Sequence, residues 1–457
     1  MIFSVNPRTE EKLYEFNESS QADISDAFRR AHKAQKECYE KTTKEDRIDL
    51  VLNLIKNAQD RKSEIVDIMY LETGIPKKSL SAAYEAALSG TDYYINRYLG
   101  INSENIPVPE KWSDTSASVN FEPHGTIAHI GIWNFPFWQT MISAIPALLA
   151  GNSIVYKPSE FCTATGLAVA DLIRSSGFNK DLYIPLIGGK NVGEAMVTSP
   201  CDAIVFTGGI TTGQSIIRNA GVKPLILELS GNDAAIVCAD ANVEQASRGI
   251  ATGTFSRGGQ VCIRVKRVYV HEDIAEEFTE RLTEIASHLD LSEDIGPLIC
   301  SEARSKVSSA VDDAVKQGAE LLHGGNSVSP GYFYEPTIFT HSNDNLLAVK
   351  EETFGPVCPL RIVHSENEAV KLANDSIYGL GASIWTQDSD KMKKMADLLE
   401  AGNIWINDCG ATLPGGEYFQ GWKSSGIPSS MSRLGLFLKK KTVICHSSDN
   451  CRPKWYS

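Results

Sequence analysis

Hydrophobic residues recur every three or four positions between Ser20 and Leu99, and this period predicts a series of amphipathic helices. The first helix begins at Ser20-Gln21-Ala22-Asp23, which has the form of a capping box, and continues with apolar residues at positions 24, 27, 28, 31 and 34. A later helix ends at Gly74-Ile75-Pro76, because proline removes a helical hydrogen bond and glycine weakens the helix. In the polar stretch that follows, alternation from Ser116 to Phe121 predicts a strand.

After His124 the pattern changes to short β-branched runs that alternate with segments suited to helices. This alternation is typical of a doubly wound parallel sheet, in which ligands bind at the carboxyl ends of the strands. A second mixed pattern extends from Asp233 to Leu360 and predicts another α/β domain. The predicted strands are 126–132, 153–156, 182–187, 203–206, 225–227, 235–237, 265–270, 332–334 and 436–445, and the predicted helices are 138–149, 164–175, 192–197, 274–289 and 302–317.

The composition changes this picture by excluding classes of partner. The 457 residues carry a net charge of -13, whereas nucleic-acid-binding proteins display clustered Lys and Arg, so no nucleic-acid partner is expected. Ten cysteines without a CxxC pair or a histidine at zinc-finger spacing predict free thiols, no metal site and a cytoplasmic location. No segment resembles a signal peptide or reaches membrane-spanning length, so no membrane partner is expected.

Two residues suggest covalent chemistry. Cys262 ends the glycine-rich turn Gly259-Gln260-Val261-Cys262, where few side chains obstruct its sulfur, and a thiolate in such a place is a useful nucleophile. Glu228 follows the apolar strand Leu225-Ile226-Leu227, where partial desolvation favours a carboxylate that accepts a proton near neutral pH. Each has an ordinary structural alternative, which is a buried thiol for Cys262 and a cap of the next backbone turn for Glu228.

Two turns after predicted strands suggest a bound dinucleotide. Lys157-Pro158-Ser159-Glu160 places a cation and a carboxylate where ribose hydroxyls could bind, although a solvated ion pair has the same composition. The segment from Thr207 to Gly213 is a glycine turn that enters a helix, and the N–H groups there could receive a pyrophosphate. A glycine-rich turn is more often just a turn, so this signal is weak alone.

Together with further motifs, these segments make the chain resemble the aldehyde dehydrogenase superfamily of NAD(P)-dependent, CoA-independent enzymes. The resemblance covers nearly the whole chain, and the sequence from Asn134 to Gln139 is most similar to the semialdehyde dehydrogenase branch. Seven motifs occur in the family's order: Trp133-Asn134-Phe135-Pro136, Lys157-Pro158-Ser159-Glu160, Phe206-Thr207-Gly208, Glu228-Leu229-Ser230-Gly231, Gly259-Gln260-Val261-Cys262, Glu352-Thr353-Phe354-Gly355-Pro356 and Gly402-Asn403-Ile404-Trp405-Ile406-Asn407.

The resemblance implies a role for each motif. Cys262 would attack the aldehyde carbon, the Asn134 amide and the Cys262 backbone N–H would hold the oxyanion, and Glu228 would activate water to hydrolyse the resulting thioester. The cofactor would be NAD or NADP. The residues implied as its contacts are Trp133, Lys157, Ser159, Glu160, Gly208, Gly209, Glu352 and Phe354.

The resemblance also implies an architecture. It consists of a Rossmann-like cofactor domain at 1–108 and 124–230, an α/β catalytic domain at 231–410, and a return segment at 411–436 that lines the active site. A small β bridging element at 109–123 and 437–457 would serve oligomerisation, because its unpaired edges would otherwise invite uncontrolled pairing. A homodimer or a homotetramer is therefore expected.

Some positions depart from the family's pattern. Gly209 stands where the family usually has a serine that touches the pyrophosphate, so phosphate binding is expected to depend more on backbone N–H groups. The segment Pro428-Ser429-Ser430-Met431 lacks the family's usual Gly-Arg-Glu. Glu160 keeps the usual acid of the ribose site, where it should repel a 2'-phosphate, so NAD is favoured over NADP.

Other departures concern the substrate. Semialdehyde enzymes of this branch hold a distant carboxylate with arginines, and the corresponding positions here are Ile142 and Ser256, with Arg257 and Arg264 only at neighbouring positions. A short neutral aldehyde is therefore expected, or a hydroxylated one such as lactaldehyde or glyceraldehyde. Trp138, Ile142 and Phe419 would form the walls of its tunnel.

Three alternatives remain open at the level of sequence. One is a succinate-semialdehyde dehydrogenase in which Arg257 or Arg264 replaces the missing arginines. Another is a CoA-acylating or phosphorylating enzyme, although Glu228 favours water as the acceptor. The last is a catalytically silent structural or binding protein, which the joint presence of Cys262, Glu228 and Asn134 argues against.

Overall fold

The computed structural model describes residues 1–108, 110 and 115–446, so the parts of the predicted bridging element at 109, 111–114 and 447–457 lie outside the described residues. The chain begins with a hairpin that the sequence did not predict. Five helices follow it. Their bounds are β1 (Ile2–Val5), β2 (Lys12–Phe16), α1 (Gln21–Lys41), α2 (Lys44–Asp60), α3 (Lys62–Thr73), α4 (Lys77–Ser89) and α5 (Thr91–Gly100).

The predicted helix signals act as expected. Ser20 and Asp23 form the reciprocal capping box of α1, and the five predicted apolar positions of that helix are buried. Helix α3 ends at Gly74, whose φ of 67° is the left-handed conformation that glycine adopts without a Cβ penalty. The N–H of Gly74 donates to the carbonyl of Tyr70, which satisfies an acceptor at the helix end.

A parallel sheet of five strands follows, as predicted. Its order is β7-β6-β5-β8-β9, and helices cover both faces: α1, α8 and α9 on one face, and α2, α4, α6 and α7 on the other. The bounds are β5 (Thr126–Ile130), α6 (Pro136–Leu149), β6 (Ser153–Lys157), α7 (Thr163–Ser175), β7 (Tyr183–Pro185), α8 (Lys190–Thr198), β8 (Ala203–Gly208), α9 (Ile210–Asn219) and β9 (Leu225–Leu229). In α6, Trp138 alone is not fully buried. Each large apolar side chain in this helix contributes roughly 1.5–3 kcal/mol by leaving water.

A second sheet has seven strands in the order β12-β15-β16-β11-β10-β18-β19, with α10 and α11 on one face and α14 and α15 on the other. The elements of this region are β10 (Asp233–Val237), α10 (Val243–Phe255), β11 (Val265–His271), α11 (Ala275–Ser287), α12 (Ser301–Lys316), β12 (Glu320–His323), β13 (Ser327–Val328), β14 (Phe333–Tyr334), β15 (Thr337–Thr340), α13 (Leu347–Lys350), β16 (Val357–Val363), α14 (Glu366–Asn374), β17 (Tyr378–Gly379), β18 (Gly381–Trp385), α15 (Ser389–Leu398) and β19 (Asn403–Ile406). The predicted α/β class with two sheets is confirmed.

The return segment and a three-stranded sheet complete the fold. The remaining strands are β20 (Trp422–Lys423) and β21 (Leu438–His446), and β21 pairs antiparallel with β4 (Thr115–Pro123), which also pairs with β3 (Glu104–Ile106). Residues 104–106, which the prediction assigned to the cofactor domain, form strand β3 and pair with β4. No hydrophobic alternation marks this short edge strand, because all three of its residues are exposed. In the part of the chain that the structure describes, no helix has both the length and the hydrophobicity to span a membrane.

Candidate active site

Cys262 lies in a turn between α10 and β11 whose backbone requires glycine. Arg257, Gly258 and Gly259 all have positive φ angles, of 58°, 65° and 68°. A Cβ on Gly259 would lie 2.2 Å from the carbonyl oxygen of Gly355, so the turn presses directly against the loop that follows α13. The residue Cys262 is partly exposed and borders a cavity of about 980 Å³.

The charge next to Cys262 comes from Lys266 on β11. Its ammonium donates to the backbone carbonyl oxygens of Val261 (3.1 Å) and Cys262 (2.5 Å), and these two hydrogen bonds hold the turn in place. Burial raises the pKa of the Cys262 thiol to about 12, and the positive charge of Lys266 acts in the opposite direction. Lys266 is therefore the cation that favours the thiolate, and the sequence reasoning missed it.

Asn134 packs against the same turn. Its side-chain Nδ2 donates to the backbone carbonyl of Gln260 (2.8 Å), and its backbone carbonyl accepts from Nη1 of Arg257 (2.7 Å). The side-chain amide carries two hydrogens, and the bond to Gln260 uses one of them. The sequence placed Asn134 beside Cys262, and the structure joins the two segments through hydrogen bonds.

Glu228 is held by residues that lie outside the Cys262 turn. Its backbone is fixed between β8 and the return segment, where the Leu229 N–H donates to Ser425 (2.8 Å). One oxygen of its carboxylate contacts Nη1 of Arg433, and the other accepts from Nε2 of Gln139 (3.2 Å). Glu228 lines a second cavity, of about 270 Å³, and does not line the cavity that Cys262 borders.

The larger cavity gathers the cofactor residues that the resemblance implied. It lies at the carboxyl ends of β5, β6 and β8, where ligands bind in open α/β sheets. The residues that line it together with Cys262 include Trp133, Lys157, Ser159, Glu160, Gly208, Gly209, Glu352 and Phe354, which are all eight of the implied contacts. Its volume is at the upper end for small-molecule sites and is large enough for an extended ligand.

Glu352 provides an independent sign of a ligand in this cavity. Its Oε1 is buried and lies 3.1 Å from Nζ of Lys266, but no described group hydrogen-bonds to it. A carboxylate oxygen can accept more than one hydrogen bond, so beside the Lys266 ammonium a ligand hydroxyl can also donate to it. Phe354, two residues later, contacts Trp133 edge to face with ring centroids 5.6 Å apart. The residues present thus fit a cofactor with ribose hydroxyls and a flat ring.

The turn at 157–160 is held by side-chain contacts, whereas the turn at Gly209 has open space around it. Lys157 is buried and donates to the carbonyls of Pro158 (2.9 Å) and Gly188 (2.8 Å), while Oε2 of the half-exposed Glu160 lies 3.6 Å from its Nζ. Burial lowers the pKa of Lys157, and Glu160 opposes this. Gly209 caps α9, and a Cβ there would meet no atom within 4 Å, so packing does not explain the absence of the family's usual serine.

The predicted substrate residues are not brought together. Phe419 lines the second cavity, whereas Trp138 and Ile142 line neither of the two cavities. Both pack behind Gly416, where a Cβ would approach Cδ1 of Ile142 to 3.4 Å. Ile142 lines neither cavity because α6 lies in the centre of the core, where Ile142 is only 1% exposed.

The two arginines suggested as substitutes for a carboxylate clamp bind the protein itself. Arg257 donates to the carbonyls of Asn134 and Ser79 and lies over the Phe135 ring at 4.0 Å. Arg264 is buried and donates to the Val265 and Val357 carbonyls and to the Thr353 hydroxyl. Neither arginine lines the two cavities.

Comparison with known proteins decides the family. The model of the aldehyde dehydrogenase family matches residues 1–443. The chain belongs to the aldehyde dehydrogenase family. This membership confirms the expectation of an NAD(P)-dependent aldehyde dehydrogenase, with NAD or NADP as the cofactor; other solved structures of the family contain NAD+.

Relatives in the family differ in substrate. The chain is 32% identical to betaine aldehyde dehydrogenase of Bacillus subtilis, over 99% of this chain and 95% of that protein. It is also 32% identical to the NADP+-dependent succinate-semialdehyde dehydrogenase of Mycobacterium avium, over 98% and 97% of the two chains. The crystal structure of lactaldehyde dehydrogenase from Escherichia coli superposes with a TM-score of 0.93 at 30% identity, covering 98% of this chain and 96% of that one. These names leave the aldehyde of this family member undetermined.

Proposed function

We propose that this aldehyde dehydrogenase converts a small neutral or hydroxylated aldehyde to the carboxylate through a thioester on Cys262. The observation that carries the proposal is that Cys262 borders the same cavity as all eight expected cofactor residues. A nucleophile and a hydride acceptor must both reach one aldehyde carbon, and a shared cavity permits this.

The first half of the reaction takes place at Cys262. Its thiolate sulfur forms a bond to the aldehyde carbon, and the carbonyl electrons move to the oxygen. The second amide hydrogen of Asn134 and the Cys262 N–H donate to that oxygen, and a donor of this kind typically contributes about 3 kcal/mol. NAD or NADP, when bound, supplies the acceptor for the hydride that leaves the carbon. The oxygen electrons then restore the carbonyl as a thioester.

The second half is hydrolysis. Water attacks the thioester carbon, Glu228 accepts a proton from that water, the carbon–sulfur bond breaks, and the carboxylic acid leaves the restored Cys262. Glu228 supports water as the acceptor rather than CoA or phosphate. Absorbance of the reduced cofactor, followed over a panel of aldehydes with and without CoA and phosphate, tests this assignment. A protein that reduces neither cofactor with any aldehyde would instead be the silent member of the family.

The substrate is expected to lack a second carboxylate. Arg257 and Arg264 donate to protein groups and line neither cavity, and Arg433, which lines the cavity beside Phe419, is already paired with Glu228. A buried polar group without a partner costs about 1–3 kcal/mol and a charged one more, so kcat/KM for lactaldehyde or propionaldehyde should exceed that for succinate semialdehyde by roughly tenfold or more. Steady-state kinetics measure this ratio. The opposite ranking would contradict the proposal and make Arg257 and Arg264 the first residues to replace.

NAD is expected to be preferred over NADP. Glu160 would lie near a 2'-phosphate and repel it at a cost of about 1 kcal/mol or more, while the buried Lys157 already donates to two carbonyls. Glu160→Gln should therefore raise kcat/KM for NADP relative to NAD. Glu194→Gln, which removes another acid from the same cavity, is the matched control and should alter the ratio less. A wild-type protein that prefers NADP would overturn this assignment.

A homodimer or a homotetramer is expected because, among the described residues, β21 and β3 form the edges of their three-stranded sheet. Light scattering should give a multiple of 50.0 kDa. Ile444 on β21 is 58% exposed in the single chain, and Ile444→Lys should weaken the assembly on dilution. Ile377→Lys, at a position that is 61% exposed and lies outside the three-stranded sheet, serves as the control. A species of 50 kDa alone would reject the assembly.

A further inference from the structure

Phe354, in the loop between α13 and β16, has an unusual backbone conformation. Its φ is 49°, in the left-handed region that a bulky side chain rarely adopts. Such a conformation persists only where the surrounding structure specifies it, and it is concentrated at functional sites. Phe354 and Glu352 line the larger cavity, whereas Thr353 between them is buried and does not line it. We therefore expect a group that holds this loop from its buried side.

Arg264, immediately before β11, binds the loop on both sides of Phe354. Its Nη2 donates to the Thr353 hydroxyl (2.5 Å), and its Nη1 donates to the Val357 carbonyl (2.8 Å). Nη1 also donates to the carbonyl of Val265 (3.1 Å), which fixes the guanidinium to its own strand. The planar fork of the guanidinium thus joins a residue before the strained position to a residue after it.

Stability alone does not account for a charge at position 264. Arg264 is 2% exposed, and its hydrogen-bond partners in the described part of the chain are all neutral. The carboxylates of Glu352 and Asp233 attract it but do not hydrogen-bond to it. A buried charge without a bonded opposite charge is costly, and an apolar side chain of similar volume often packs as well. What the guanidinium adds is a set of directed hydrogen bonds, which an apolar side chain could not supply.

The loop is held at two further points. The glycine turn before the nucleophile presses against Gly355, since a Cβ on Gly259 would lie 2.2 Å from the Gly355 carbonyl oxygen. Nζ of Lys266 lies 3.1 Å from the Glu352 carboxylate. The Thr353 hydroxyl takes part in neither contact, so its hydrogen bond can be removed while both contacts stay in place.

We infer that Arg264 is a positioning residue for Phe354: through Thr353 and Val357 it holds the aromatic ring in the larger cavity, where the ring supports cofactor binding. The inference rests on the proposed function, because it takes Phe354 as a cofactor contact. The ring packs edge to face against Trp133, and both rings line the cavity, so together they offer a rigid apolar surface to a flat ligand ring. Without the hydrogen bond to Thr353, the backbone is free to leave the left-handed region, and the ring loses its fixed position.

The experiment removes one hydrogen bond at nearly constant volume. Thr353→Val deletes the hydroxyl that accepts from Arg264, and Thr353→Ser retains it. Thr126→Val is the matched control: Oγ1 of Thr126 is also a buried acceptor, 3.0 Å from Oγ of Ser153, but Thr126 begins β5 and lines neither cavity. Dissociation constants for NAD and NADP are measured by fluorescence titration. Alkylation of Cys262 by iodoacetamide without cofactor is followed by peptide mass spectrometry.

In Thr353→Val the dissociation constant of the preferred cofactor is expected to rise by roughly fivefold or more, while the rate of Cys262 alkylation stays close to wild type. Thr353→Ser and Thr126→Val should bind the cofactor as the wild type does. In a double-mutant cycle with Phe354→Leu, which removes the aromatic ring, Thr353→Val should weaken binding no further. If Thr353→Val is not folded by its melting curve, Thr353→Ala takes its place, because it removes the same acceptor with a smaller side chain.

An equal loss of cofactor binding and Cys262 alkylation would overturn the inference, since that is what a purely structural hydrogen bond would give. Additive effects of Thr353→Val and Phe354→Leu would also overturn it, because the hydrogen bond would then act by a route other than the ring. A wild-type protein that binds neither NAD nor NADP would refute the proposed cofactor site, and the role of Arg264 with it. Wild-type binding that Thr353→Val leaves unaltered would refute only the role of Arg264.

Discussion

Cys262→Ala is expected to abolish aldehyde oxidation, with neither a first turnover of reduced cofactor nor a steady state above background. The sulfur is the only atom of this turn that can form the covalent bond on which both halves of the reaction depend. The loss should therefore be far larger than that for any residue that only orients the substrate. Stopped-flow absorbance of the reduced cofactor measures both phases in one experiment.

The control for this variant is Cys300→Ala. Cys300 is also partly exposed, but it lines neither cavity, so its removal should leave both phases intact. Cofactor binding to the Cys262 variant, followed by fluorescence, would show that the cavity is preserved. Normal steady-state turnover without Cys262 would end the thioester mechanism.

Glu228→Gln is expected to leave a burst of reduced cofactor followed by turnover slowed by about 10²-fold or more. Thioester formation needs the base less than hydrolysis does, so the first turnover persists and the acyl-enzyme accumulates. The amide cannot accept a proton from water, and it leaves Arg433 without its charged partner. Rapid mixing measures the burst amplitude, and mass spectrometry detects the acylated chain.

Glu417→Gln separates this chemical effect from local disturbance. Glu417 is a buried carboxylate that accepts a hydrogen bond from the backbone N–H of Arg433. It does not border either cavity. Its variant should hydrolyse the thioester at close to the wild-type rate. A Glu228 variant without a burst, in which both phases fall together, would mean that Glu228 acts before the thioester forms.

Part of the larger cavity could be predicted from the sequence, because three of the motifs that line it lie at or directly after the ends of strands in a parallel sheet. The turns after β5, β6 and β8 meet at one sheet edge whatever the details of packing, so residues as distant as Trp133, Glu160 and Gly208 had to converge. The capping box of α1 and the stop at Gly74 were equally local.

The surroundings of Glu228 could not be predicted in this way. Arg433 is 205 positions away in sequence, and its approach depends on how the return segment crosses the edge of β9. A lone arginine before Leu434, Leu436 and Phe437 was the available signal, since a cation within an apolar stretch needs a buried partner. This pattern indicates that Arg433 needs a buried partner, but it does not show that the partner is Glu228.

The surroundings of the predicted substrate residues could not be predicted for a related reason. Counting from a family motif put Ile142 in the tunnel, but α6 turns that face into the core and leaves only Trp138 partly exposed. The position of a residue along a helix shows which face of the helix it lies on, but whether that face points to the core or to a cavity depends on the elements packed around the helix. Strand β3 escaped notice because three exposed residues carry no hydrophobic pattern.

The contact between Gly259 and Gly355 has a consequence for how this chain can accept change over generations. No side chain separates the two backbones, so an alanine at position 259 needs the carbonyl of Gly355 to retreat, which would also displace Glu352 and Phe354. A mutation in one loop thus alters the nucleophile and the cofactor loop together. Replacement of Gly259 is thus limited by the backbone of a distant loop, whereas a Cβ on Gly355 would instead meet the side chain of Val307 at 2.3 Å.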